Sequence, residues 1–281
     1  MIRTATAALL LLVGSAFAQG ALAQEGKPLK TAVDGTFAPH AMPKMSGGVE
    51  GFNIDLAEEI GRRLKRPITV EAAQFSVLPP AMQAGTYDFL IAPVTVTKER
   101  TESMLFSEGY LNTDFQFLTL KDAPEVTKLE DLKGKVIAVN KGSAYDAWAR
   151  ELEPKIGWTV ESYGTNPDAV QAVIAGRAFA NVAGNTVVAW VAKNNPRLKL
   201  SYLHSTGLVW AIPFRKDSAE LRAQVENAVE CMKTDGALAK MHEKWFGTTP
   251  KPGSAAATVF PGYGVPGMAG YDPAEHKPTC S

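Results

Sequence analysis

The chain has 281 residues, 29 of them basic and 29 acidic, so its formal net charge is zero. That length suits one large or two medium domains, and the balanced charge gives no electrostatic basis for nucleic acid or an anionic membrane as partner. Residues 1–23 are expected to be a cleavable secretory leader. Arg3 supplies the positive start, Ala7 to Val13 an apolar run, and Ala21-Leu22-Ala23 small residues before a cut, with a cut after Ala18 as the alternative. The run is too short for a membrane span and no later stretch is apolar enough, so a soluble exported protein beginning near Gln24 is expected. Cys231 and Cys280 are the only cysteines. In an oxidising compartment such a pair favours a disulfide tying the C-terminus to a helix, over two unrelated thiols.

After the leader, Leu29 to Asp34 reads as a short strand ending in an Asp34-Gly35 turn, followed by a loop with Phe37, Pro39 and His40. Gly51 to Leu64 places Ala57, Ile60, Gly61 and Leu64 on one helical face, with Asn53 as a candidate cap. Ile68 to Ala72 is the next strand. Phe75 falls in a loop, Pro79-Pro80 open a helix that Gly85 closes, and Tyr87 to Pro93 is a third strand. A β-α-β-α-β order predicts a parallel sheet with helices on its faces.

The alternation then restarts. Strands are predicted at Phe115 to Leu120, Val136 to Val139, Trp158 to Tyr163, Ala178 to Ala183 and Leu198 to Tyr202. Helices are predicted from Ala144 to Leu152, from an Asn166 cap with Pro167 to a stop at Gly176, and from Thr186 to Lys193. Leu208 to Phe214 is a strand. A helix capped by Ser218 carries Leu221, Val225, Val229 and Met232, Asp235-Gly236 breaks it, and Ala237 to Phe246 is the last helix. Residues 249–281 are rich in Pro and Gly without periodicity, a tail that is extended or disordered. Val259, Phe260, Tyr263 and Tyr271 give it something to pack with.

The stretch Ile91 to Arg100, IAPVTVTKER, carries the functional argument. Thr97 is a plausible N-cap for a helix starting at Lys98. An Arg in a first helical turn runs against the preference for negative charge there, and its planar fork suits a carboxylate held by two prongs.

From residue 28 to 247 the chain resembles the family 3 periplasmic solute-binding proteins, the polar amino acid receptors of ABC importers. The matching stretches are Asp34 to Pro39, Gly51 to Ala57, Thr95 to Arg100 with Phe106-Ser107 and Tyr110, and ALAKMHEKWFG from Ala237 to Gly247. The resemblance implies a two-lobed α/β fold, with residues 24–110 and 208–248 forming one lobe and residues 111–207 an inserted second lobe. Two chain crossings would act as a hinge, and the lobes would close over a ligand. It further implies that Arg100 binds a ligand carboxylate, that Thr95 assists, and that Gly142 and Ser143 present backbone amides from the other lobe. Asp34, Phe37 and Phe75 would line the side-chain end. A periplasmic monomer serving an inner-membrane ABC permease, without catalysis or cofactor, is the expectation.

One position departs from that family. The run Gly176 to Ala183 resembles one followed in the family by an Asp that meets the ligand's ammonium; here Gly184 stands there, then Asn185 and Thr186, and Phe179 replaces an acid within the strand. Asn185 can accept a hydrogen bond but lacks the opposite charge. Asp34 or Glu50 would then supply the counter-charge, or the ligand lacks a free α-amine, or its cation meets Phe37 and Phe75. His40 is either part of an unusual pocket or a surface residue. Two other classes share the fold: cyclohexadienyl dehydratases, against which the missing acids speak, and accessory proteins of periplasmic methanol dehydrogenases, which a pinned tail would suit. Metal binding is poorly supported, because the four histidines and two cysteines have no ligand-like spacing.

Overall fold

A computed structural model describes residues 26–280, so the expected leader lies outside the described residues. Strand β1 (Leu29–Val33) pairs in parallel with β4 (Ile68–Ala72). Between them come a small antiparallel hairpin, β2 (Met42–Pro43) with β3 (Val49–Glu50), and helix α1 (Phe52–Leu64). On α1 the residues Phe52, Leu56 and Ile60 recur every fourth position and are fully buried, each contributing about 1.5–3 kcal/mol by leaving water. The expected Asn53 cap is not formed. Asn53 lies inside the helix, buried, and donates to the Ile91 carbonyl and the Tyr110 hydroxyl. The N-cap is Gly51 at φ 148°, where an added Cβ would stand 2.3 Å from the His40 carbonyl oxygen.

Phe75 to Val77 form one 3-10 turn leading into α2 (Leu78–Gln83), which takes its prolines in the first turn as expected. The predicted third strand, Tyr87 to Pro93, is not a regular ladder strand. Asp88 bonds to Lys30, Leu90 to Pro213, and the Ile91 and Ala92 amides both go to the Ala32 carbonyl, which breaks the alternation a ladder needs. Pro93 then lacks an N–H altogether. Regular pairing resumes at β5 (Val94–Thr95), followed by α3 (Lys98–Ser103) and β6 (Leu105–Phe106).

A six-stranded mixed sheet in the order β5-β11-β7-β10-β8-β9 runs from β5 at the first-lobe end through the second lobe. Its strands are β7 (Leu111–Leu120), β8 (Val136–Asn140), β9 (Thr159–Tyr163), β10 (Ala180–Gly184) and β11 (Leu198–Ala211). Helices α4 (Ala144–Ile156), α5 (Asn166–Ile174) and α6 (Asn185–Asn194) alternate with them. Thr165, not Asn166, caps α5, since it is the Thr165 hydroxyl that accepts from the Asp168 amide. The two strands predicted at 198–202 and 208–214 are largely one. β11 passes through Ser205-Thr206-Gly207 on register shifts between Leu200 and Leu203 and between His204 and Leu208. Thr206 bridges the irregularity by donating to the Thr113 carbonyl and accepting from Leu208. The antiparallel pair β7 and β11 carries the chain between the lobes, with Leu111 opposite Trp210.

β12 (Pro213–Phe214) returns the chain to the first lobe beside β6, and α7 (Ala219–Thr234) and α8 (Ala237–Phe246) complete it. Ser218 sits at the start of α7 but its hydroxyl turns to Asp217 instead of capping. Cys231 and Cys280 are bridged, with an S–S distance of 2.02 Å. Among the described residues the tail has no helix or regular strand, yet it is not loose. Tyr263 stacks on His276 at 4.0 Å, His276 bonds to Glu230, and the Gly264 amide donates to Glu226. Val259 is the exception among the expected packing residues, being exposed.

Candidate ligand-binding cleft

Arg100 faces inward. Thr97 caps α3 as its sequence suggests, its hydroxyl accepting from the Arg100 amide. The side chain is thereby aimed back over β5, where one guanidinium nitrogen donates to the Thr95 carbonyl at 2.9 Å. The other donates across the cleft to the Gly142 carbonyl at 3.0 Å, and the group lies 5.7 Å over the Phe75 ring. Among the described residues no carboxylate forms an ion pair with it. Burial holds its pKa below the ordinary value, with Tyr145 and Glu99 pulling the other way. A guanidinium stays charged in any protein, so a half-buried cation without an anion is left in the cleft.

The facing wall is the start of α4. Ser143 caps it through its hydroxyl, which accepts from the Asp146 amide at 3.0 Å. The Asp146 carboxylate in turn accepts from the Gly142 amide. Among the described residues the backbone N–H groups of Ala144 and Tyr145 find no acceptor, and both residues line the cleft. A helix N-terminus with two free amides opposite an arginine favours an anion between them.

Asp34, Phe37, Phe75, Thr95, Arg100 and Ser143 all border one narrow pocket, with about 20 Å³ of free space between its walls. Asp34 is buried and rigidly held: one oxygen accepts from the Thr36 amide and hydroxyl, the other from the Phe75 amide at 3.2 Å. Trp210 forms the inner floor. Its indole N–H donates to the Thr95 hydroxyl at 3.0 Å, and its ring lies so close to Gly184 that a Cβ there would stand 2.5 Å from it. The glycine noted as a departure is therefore a requirement of this packing, because the indole occupies the space a side chain would need.

Two expected residues are not brought in. The Asn185 side chain accepts from the Asp114 amide and so ties α6 to β7, away from the pocket. Gly142 meets Arg100 through its carbonyl, not its amide, since Asp146 has taken that amide and the φ of 76° turns the carbonyl inward. Glu50 lies in the β2–β3 hairpin and does not border the pocket. His40 is fully buried behind it, not on the surface. Its ring accepts and donates between Asn53 and Thr186, and burial pulls its pKa down to about 4 against the Asn53 bond. Asn53 spends its amide nitrogen elsewhere, so its oxygen must accept from Nδ1, which leaves Nε2 to accept from the Thr186 hydroxyl.

Sequence reasoning missed Pro93, Asn140, Ala144, Tyr145 and Trp210. Tyr145 was within reach, standing two residues beyond the Ser143 cap. Burial, and then the charge of Asp34, push its hydroxyl pKa above the usual range. Asn140 has a buried side-chain oxygen with no partner. Nothing local distinguishes it or Trp210, whose places depend on which strands become neighbours.

Two lobes, two crossing strands and a cleft with an unpaired arginine define the type II periplasmic-binding-protein class. The chain belongs to the bacterial extracellular solute-binding proteins, family 3, whose model matches residues 29–248. It is 29% identical over 247 residues to the lysine/arginine/ornithine-binding periplasmic protein of Escherichia coli K12, covering 85% of this chain and 95% of that one. A solved ancestral arginine-binding protein bound to arginine is similar at 32% identity and a TM-score of 0.75, covering 79% of this chain and 99% of that one. An ancestral amino acid-binding protein, a precursor of cyclohexadienyl dehydratase, is similar at 29% identity and a TM-score of 0.73, covering 79% and 96%. Membership makes this chain a solute-binding protein.

Proposed function

We propose that the protein is the exported, periplasmic receptor of an ABC importer, capturing a small carboxylate-bearing solute, an amino acid or derivative, and presenting it as a monomer to an inner-membrane permease. The unpaired Arg100 in the cleft carries this reading. The ligand carboxylate takes the place of the Gly142 carbonyl on the guanidinium and receives the free Ala144 and Tyr145 amides from the other side. Thr95 orients Arg100 through its carbonyl, and Ser143 holds the α4 start in place. Asp34, with Phe37 and Phe75, meets the remainder of the ligand, including any cationic group. The lobes divide at about residues 110 and 207, and ligand favours closure because both lobes touch it only then. Residues 1–23 act as the leader.

No reaction is catalysed on this reading, so prephenate should be recovered unchanged. A thermal-shift panel of amino acids and betaines, followed by calorimetry on the compounds that raise Tm, tests the reading directly. Absence of any stabilising carboxylate from such a panel, together with unchanged affinity for a found ligand in Arg100→Ala, would remove it.

A further inference from the structure

The C-terminal tail lies outside the family match, which ends at residue 248, and it lies on the hinge. The stretch that leaves the first lobe runs from Phe106 through Glu108 and Gly109 into β7. Three tail groups bond to it or to its clamp. The Ala255 amide donates to the Asn112 side chain at 2.8 Å, and the Phe260 amide to Glu108 at 2.8 Å. Lys233 on α7 gathers the two sides, its ammonium donating to Glu108 at 2.5 Å, to the Gly109 carbonyl at 2.7 Å and to the tail carbonyl of Thr258 at 2.9 Å. The returning crossing is in the same place: Asn112 pairs with Val209, and Gly109 lies flat against the Val209 side chain. Beyond residue 264 the tail goes back to α7, where Thr279 and Asn227 bond in both directions and Cys280 is bridged to Cys231. The tail is thus a loop closed covalently on the first lobe, with its middle on the crossing.

We infer that this tail is a brace that restricts bending of the hinge and so sets the balance between open and closed states. Hinge motion is taken up by a few backbone positions, and bonds that hold those positions bias the equilibrium by whatever they are worth in one state and not the other. The bias needs no ligand, so it stands apart from the identity of the solute.

Hydrogen exchange on the full chain without ligand tests this. The reporters are the amides of Ser107, Tyr110 and Ile212, which bond across the two crossings. Asn112→Ala, with the disulfide intact, should speed their exchange by about fivefold, the worth of one hydrogen bond, while amides of α5 keep their rates. The paired Cys231→Ser and Cys280→Ser variant should speed it further and broaden the radius of gyration seen by small-angle scattering. Faster exchange of tail amides 255–264 alone, with the crossing amides at wild-type rates in Asn112→Ala, would overturn the brace and leave a simple cover for α7. The Asn112→Ala result decides the matter alone should the cysteine variant fail to fold.

Discussion

Lys233 and Arg100 are both cations drawn out of water, and their surroundings are opposite. Lys233 has three acceptors for its three protons, one of them the Glu108 carboxylate, and both side chains are almost completely buried. Burial holds the Glu108 pKa above and the Lys233 pKa below their ordinary values, and each partner's charge opposes the other's shift. Among the described residues Arg100 meets only two carbonyl oxygens and no anion, and it faces a cleft instead of a core. A charge that serves the fold is satisfied within the fold. A charge left short of its partner, where a second lobe can approach, is reserved for something that arrives from outside.

The contrast can be broken at either end. Lys233→Met strands Glu108 without its counter-charge and should lower unfolding stability by about 3–5 kcal/mol, read from the denaturant midpoint. Arg100→Met should do the reverse: apo stability within about 1 kcal/mol of wild type, and affinity for a carboxylate ligand reduced about tenfold or more by calorimetry. Loss of stability in both variants alike would erase the distinction between them. Gly184→Ala probes the seam behind the pocket. Its Cβ would meet the Trp210 ring, so closing the lobes should cost about 1–3 kcal/mol and weaken ligand binding while Tm of the apo protein moves little.

A smaller effect sharpens the picture under the tail. Glu226 is pushed up to about 8 by burial, with the Gly264 amide and Arg222 opposing. The folded protein therefore keeps a proton that the unfolded chain gives up near 4.5, the ordinary value. Stability falls as pH rises through that window, and the full cost is present above about pH 8. Glu226→Gln should flatten that slope, raising Tm at about pH 9 and converging with wild type near pH 5. Equal pH slopes in the two proteins would mean that Glu226 is ionised in the fold.

Much of the first lobe could be read in order along the chain. The α1 stripe, the Pro-led α2 and the Thr97 cap each depend on neighbours within four residues, and there local chemistry is decisive. The errors share a different cause. Asn53 suits a cap by residue type, but deep contacts with Ile91 and Tyr110 outweigh that preference. The break read between Tyr202 and Leu208 was a bulge within one strand, since Thr206 makes bonds that a Ser-Thr-Gly run does not announce.

Residue order alone was enough for the α/β alternation, the Thr97 cap and the cysteine pair, because periodicity, capping and residue type are properties of short segments, whereas the two lobes and the role of Arg100 were implied by the family resemblance. Folding in three dimensions settled the rest. It laid Trp210 over Gly184, turned Asn185 out of the cleft and put Asn140 and Tyr145 into it, and set residues 255–260 on the crossing. Each of these joins segments far apart in the chain, and such contacts depend on strand neighbours and packing volume that no local pattern encodes.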